Sequence, residues 1–172
     1  EPLIPTVMAI AREEARMLPL AQVRSLAQYD RQRRQTRIGA AGGATTVLTR
    51  PDRARGEADH FWPEMLPGGR AVLFTITSLT GSLDAAQVAV LDLQTGTRRI
   101  LVRGGSHAHY VSSGHLVYAA AGTLRAVPFA LARLETRGTP VTVVPDVITT
   151  IKGGVYAVVA GDGTLAYVMG TV

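Results

Sequence analysis

Three segments decide how the chain reads: LPGGRAVLF (66–74), VSSGHLVYA (111–119) and AGDGTLAYV (160–168). Each is a turn closed by glycine and followed at once by apolar, β-favouring residues, with Gly69, Gly114 and Gly163 standing 45 and 49 residues apart. A second motif, glycine leading into a β-rich run, alternates with the first: GGATTVLT (42–49), TGTRRILV (95–102) and RGTPVTVV (137–144). Around these motifs lie nine short runs of strand character, at 45–49, 70–77, 87–93, 98–102, 115–120, 123–129, 140–144, 155–160 and 164–168.

Glycine turns at this spacing, with four strands to a period, mark a propeller blade, a four-stranded antiparallel sheet repeated around a central channel. Cut at the repeat, the chain holds a half blade (36–49), a full blade (59–103), a second full blade (106–145) and a last half blade (153–170). These sum to three blades, so the expected fold is mainly β and amounts to half of a six-bladed β-propeller. Residues 1–35 read differently. Val7, Ile10, Ala11, Ala15 and Leu18 recur at spacings of three and four, and Leu20, Val23, Leu26 and Ala27 continue the pattern after Pro19. A helical segment is expected there, ending in Arg31, Arg33, Arg34 and Arg37, whose charge suits the negative end of a helix dipole.

The stretches GEADHFWPEMLPGGRAVLFT (56–75), DAAQVAVLDLQTGTRRILVRGG (84–105), HAHYVSSGHLVYAAAGTLRAVPFALARLE (107–135) and DGTLAYV (162–168) carry a family resemblance. From about Arg37 to Gly170 the chain resembles the TolB-like, WD-repeat-like six-bladed propellers that follow bacterial serine/threonine kinase domains and occur in related periplasmic proteins. The resemblance implies a propeller and, since such modules are generally read as sensing or protein-binding, a non-catalytic role. It also implies that His60 and His115 occupy positions where the family tends to carry histidine. The chain departs from the pattern in lacking kinase signatures, in supplying half the blades, in its helical head, and in His109, which stands where the family would carry arginine.

A three-blade arc leaves unpaired strand edges and an uncovered face. The chain begins with the outer strands of one blade and ends with the inner strands of another, so two copies can complete each other's blades. A homodimer closing a six-bladed ring with two-fold symmetry is expected. The rival is a covering of the open face by the chain's own N-terminal helices.

Composition limits the chemistry. The 172 residues are 47% hydrophobic and 18% charged, with a formal charge of +5 and no cysteine, which excludes disulfides, thiolate zinc sites and a cysteine nucleophile. A metal site would have to be built from the four histidines and nearby carboxylates. Aromatic residues make up 5% and do not alternate with basic ones, so nucleic acid is not an expected partner. No run approaches the length of a membrane span, and Glu1, Pro2 and Pro5 do not form an export signal, so the expected location is cytoplasmic, or periplasmic if an upstream segment has been removed.

Aligned on the glycines, Trp62, His107 and Tyr156 fall at equivalent first-strand positions, with Glu64, His109 and Val158 two residues on. Side chains two apart on a strand share a face, so His107 joins His109, and His60 joins Trp62 and Glu64. A three-residue loop at Ser112–Gly114 would add His115 to the His107/His109 face, and a two-residue loop would turn it away. Two imidazoles on one strand face are a common way to supply zinc, and His60, His115 or Glu64 could give a third ligand. The candidate metal ligands are therefore His60, His107, His109 and His115, with Glu64 and Asp59 as candidate catalytic carboxylates. A divalent metal, zinc by this chemistry, would acidify bound water and hydrolyse phosphate or carboxylic esters without a protein nucleophile. The alternative is a non-catalytic propeller module that binds a protein or small ligand, with His60 and His115 as hydrogen-bonding residues of turns or blade edges, and Trp62 and Tyr110 as packing residues.

Overall fold

The structure, a computed structural model, describes residues 34–37, 42, 44–160 and 163–170. All but the last two residues of the predicted helical segment 1–35 fall outside them. The described chain is mainly β, built from antiparallel sheets. Among the described residues no helix is long and apolar enough to cross a membrane.

The first strands, β1 (Thr36–Arg37) and β2 (Thr46–Val47), pair as a short ladder. A four-stranded meander follows: β3 (Glu57–Met65), β4 (Ala71–Ser78), β5 (Gln87–Asp92) and β6 (Arg98–Arg103), each paired with the next. A second sheet repeats the order with β7 (Ser106–Val111), β8 (His115–Ala120) and β9 (Thr123–Ala130). On the far edge of β9 lie β10 (Glu135–Thr136), against residues 129–130, and β11 (Val141–Val144), against residues 124–126. The last ladder pairs β12 (Ala157–Val159) with β13 (Leu165–Tyr167). Each of the nine predicted runs coincides with a strand. Four strands were announced by no run: the two-residue β1 and β10, and β3 and β7, which begin the two larger sheets.

Strand alternation sorts the core into three layers. On β4 the odd residues Ala71 and Leu73 join Leu116, Tyr118 and Val127 of the second sheet in one buried cluster. The even residues Val72, Phe74 and Ile76 form another, with Leu48 just beyond β2 packed against it. On the second sheet Leu116, Tyr118 and Ala120 face the first sheet, while Ala119, Leu124 and Val144 pack with Val155, Ala157 and Leu165 near the last ladder. The layers therefore run in chain order: the β1–β2 ladder, the first sheet, the second sheet, the β12–β13 ladder. This explains why AVLFT in β4 is an unbroken buried run, since both of its faces are covered.

Gly105 marks a close approach between the sheets. A Cβ there would lie 2.7 Å from Cδ2 of the buried Tyr118 and 3.0 Å from Val102, so a side chain is excluded by packing alone.

Candidate functional site

Both leading strands carry a bulge. In β3 the register to β4 shifts between Phe61 and Glu64, and in β7 the register to β8 shifts between Ser106 and His109. Within these bulges Trp62 has φ +53° and His107 has φ +46°, left-handed values that cost a bulky residue about 1–3 kcal/mol each. The two occupy equivalent places, seven residues before Gly69 and Gly114. The neighbouring sheet supplies an acceptor for the His107 amide, whose N–H donates to Thr75 Oγ1 at 2.8 Å.

The bulges bring side chains of the two sheets together. The Trp62 and His107 rings lie 4.6 Å apart between centroids, and the His107 and His109 rings are also 4.6 Å apart. Glu64 fixes the far end of this row: Oε2 lies 2.6 Å from His109 Nδ1, and Oε1 accepts the Tyr110 N–H at 2.7 Å. With Nδ1 carrying the proton toward the carboxylate, His109 Nε2 is left buried and without a hydrogen-bond partner.

The segment before β12 closes over this row. Trp62 Nε1–H donates to the Lys152 carbonyl at 3.0 Å, Ser106 Oγ donates to the Gly153 carbonyl at 2.7 Å, and His107 Nδ1 accepts the Val155 N–H at 2.9 Å. The last bond settles the His107 tautomer: Nδ1 is an acceptor, so the neutral ring holds its proton on Nε2. Burial, then the charge of His109, depress the His107 pKa from 6.5 to about 4, against the opposing pull of Glu64. His107 is thus neutral through the physiological range.

The structure brings together His107, His109, Glu64 and Trp62 of the residues singled out in the sequence. His60 lies elsewhere. Its side chain is wholly buried, with Nδ1 2.8 Å from Thr49 Oγ1 and Nε2 3.1 Å from Glu57 Oε2. Its ring packs on Phe74, on the β1–β2 side of the first sheet, whereas Trp62 packs toward the second sheet. Alternation would have put the two on one face, and the β3 bulges, a further one lying between Glu57 and His60, break it. Asp59 is bound through its backbone: its N–H donates to Thr77 Oγ1, and its carbonyl accepts from the same hydroxyl.

The turn Ser112–Gly114 is the three-residue loop, with Val111 opposite His115, two register positions beyond the His109–Val117 pair. His115 Nδ1 lies 3.1 Å from both Oγ and the carbonyl oxygen of Ser113 at the hairpin tip. Among the described residues no three or more histidine, aspartate or glutamate side chains gather as a metal ion would need.

Sequence reasoning missed the contribution of the 152–155 segment and of Thr75 and Ser106. The available signal was the pair Gly153-Gly154: a Cβ on Gly154 would sit 2.6 Å from Trp62 Cζ2, so only glycine lets this backbone cross the indole. The chain matches no protein-family model, and no curated protein matches it.

Proposed function

We propose that the chain is a propeller-type binding module, whose sheets are successive blades. Its innermost strands present Trp62, Glu64, His107 and His109 to a small ligand or peptide at the mouth of the channel. The observation that carries this reading is the repeated strained bulge. Two consecutive leading strands hold a bulky residue at positive φ in equivalent positions, and the strain turns an indole and an imidazole onto each other. A neutral imidazole, an oriented carboxylate and an indole face make a recognition surface, with the half-exposed Tyr156 on the segment that leads into β12.

A second reading, a metal-dependent hydrolase of phosphate or carboxylic esters at the same cluster, has one specific observation in its favour. His109 is held through Nδ1 by a carboxylate while Nε2 is unpartnered, the arrangement that second-shell carboxylates impose on metal-bound histidine. His107 fits this reading poorly. Its Nδ1 is committed to Val155, so metal could enter only at the cost of that bond or of the Nε2 proton.

Trp62 is the only tryptophan, so its emission reports on this site alone. Zn²⁺, a panel of short peptides and activated phosphate and carboxylate esters should each be titrated against that emission. Bound metal and ester hydrolysis should be measured before and after chelation. The binding-module reading expects a saturable response to a peptide or ester that survives chelation, and an affinity roughly tenfold weaker in Glu64→Gln, about 1.4 kcal/mol. Stoichiometric metal with chelator-sensitive hydrolysis would favour the second reading. Silence in every arm would overturn both.

A further inference from the structure

We propose that the cleft between the β5–β6 hairpin of the first sheet and the β9–β10 loop of the second is a phosphate-binding site, which holds inorganic phosphate or the dianion of a small phosphate monoester on Arg70, Arg99 and Arg133. It shares no residue with the Trp62 row and does not depend on reading the sheets as blades.

The segment TGTRR (95–99) opens the site. Gly96, at φ +72°, closes the turn between β5 and β6, and Asp92 pins that turn: its carbonyl accepts the Gly96 N–H at 2.8 Å and its Oδ1 the Gln94 N–H at 2.9 Å. Beyond the turn strand alternation sends the two arginines to opposite faces. Arg98 goes to Glu57, and Arg99 goes to the second sheet, where Nη1 donates to the Arg133 carbonyl at 3.2 Å. Arg70, just ahead of β4, reaches the same loop: Nη1 donates to the Ala132 carbonyl at 3.3 Å and Nη2 to Asp92 Oδ2 at 2.7 Å.

The loop is folded to meet them. Leu134 is buried and holds φ +54°, a left-handed value that bulky residues rarely adopt, and the chain turns there with its 132 and 133 carbonyls on Arg70 and Arg99. Arg133 stands at the rim, with a side chain 70% exposed and Nη1 3.6 Å from Glu135 Oε1, beyond hydrogen-bond reach. The result is a cleft of about 170 Å³, floored by the buried Val90 and Leu134 and walled by Arg70, Arg99, Arg133, Thr95, Thr97 and Asp92.

Hydrogen-bonding capacity decides what such a cleft can hold. Asp92, the one acidic residue of the lining, has both oxygens engaged, and the bonds from Arg70 and the Gln94 amide hold its carboxyl below the ordinary carboxylate range. Guanidinium groups donate only, stay charged at physiological pH, and carry more N–H groups than the loop carbonyls occupy. Thr95 Oγ1 accepts the Thr97 N–H at 3.2 Å, which leaves its own O–H to donate. Three arginines against one aspartate give the lining a net charge of two, positive. A tetrahedral dianion meets donors from the β4 start, the hairpin and the loop, whereas a cation meets three guanidiniums and a carboxylate already bound. The apolar floor holds water back on one side, which strengthens these charge-assisted bonds.

Calorimetric titration of the full chain with inorganic phosphate, phenyl phosphate and succinate, in about 0.15 M salt to screen diffuse attraction, tests this. About one equivalent of phosphate or phenyl phosphate is expected to bind saturably, and the tighter of the two names the source of the dianion, free or esterified. Arg99→Gln and Arg133→Gln are each expected to weaken that binding roughly tenfold, the loss of a charged hydrogen bond. Arg137→Gln, beside the cleft but outside its lining, is expected to leave it unchanged. The exposed Arg133 keeps the test valid should Arg99→Gln fail to fold. No saturable binding of either phosphate overturns the proposal, as does an affinity that neither Arg99→Gln nor Arg133→Gln lowers. An equal loss in all three arginine variants, the mark of non-specific charge, overturns it too, and so does succinate bound as tightly as the phosphates.

Discussion

Glu57→Ala is expected to lower the free energy of unfolding by about 3 kcal/mol, read from the shift of a urea or guanidinium transition, because it strips the centre from a buried charge network. The Glu57 side chain is 9% exposed and takes a forked pair of bonds from Arg98, Nη1 to Oε2 at 2.9 Å and Nη2 to Oε1 at 2.8 Å. It also accepts the Asp52 N–H at 2.8 Å and faces His60 Nε2. Burial raises the carboxyl pKa, but the bonds from Arg98, Asp52 and His60 outweigh it and hold the group below its ordinary value, so it is charged.

The network reaches across to the N-terminal ladder. Neutral His60 donates from Nε2 to Glu57 and accepts at Nδ1 from Thr49 Oγ1, which in turn accepts the Gln35 N–H, while Gln35 Nε2 donates to the His60 carbonyl. Alanine at 57 leaves a partly buried guanidinium, an imidazole N–H and an amide without their acceptor. A loss under about 1 kcal/mol would show that water replaces the carboxylate, contrary to the burial argued above.

Gly154→Ala is expected to cost about 2 kcal/mol and to shift the emission maximum of Trp62. The new Cβ would fall 2.6 Å from Cζ2 and 2.8 Å from Cη2 of the indole, and 3.1 Å from Thr150 Oγ1. The indole has little freedom to retreat, since His107 packs on it and Nε1 is tied to the Lys152 carbonyl. The backbone at 154 has no positive φ, so the penalty is one of packing rather than of conformation. Unchanged stability together with unchanged emission would mean that the 152–155 segment does not lie on Trp62.

What the sequence disclosed and what it hid follow from one physical difference. β4, β5, β8 and β9 are buried on one or both faces, so their apolar runs and glycine turns stand out, and the nine predicted strands lie where strands are found. β3 and β7, reading EADHFWPEM and SHAHYV, hold the candidate site and carry its polar residues, and so have no apolar run to announce them. Alignment on Gly69 and Gly114 located Trp62, Glu64, His107 and His109 on them. It could not foresee the bulges, because one unpaired residue resets the alternation that assigns faces. For that reason His60, expected beside Trp62, lies instead in the Glu57 network on the other side of its sheet. The neutral His107 tautomer was also hidden, since it depends on an amide 48 residues away.

The pH dependence of stability follows from the same burial. His107 and His60 both have pKa values depressed below 6.5, chiefly by desolvation, so the unfolded chain takes up their protons before the folded one does. Their effect on stability is nil well above pH 6.5, and stability falls as the pH drops from 6.5 through about 4, where folded His107 titrates.

The bulged strands hold His107 neutral between Trp62, His109 and the Val155 amide. Nitrogen-15 NMR of the four imidazole rings across a pH titration tests it most directly. His107 is expected to carry its proton on Nε2 and to stay neutral down to about pH 4, while His109 carries its proton on Nδ1 toward Glu64. A His107 that titrates near 6.5 with its neutral proton on Nδ1 would contradict it.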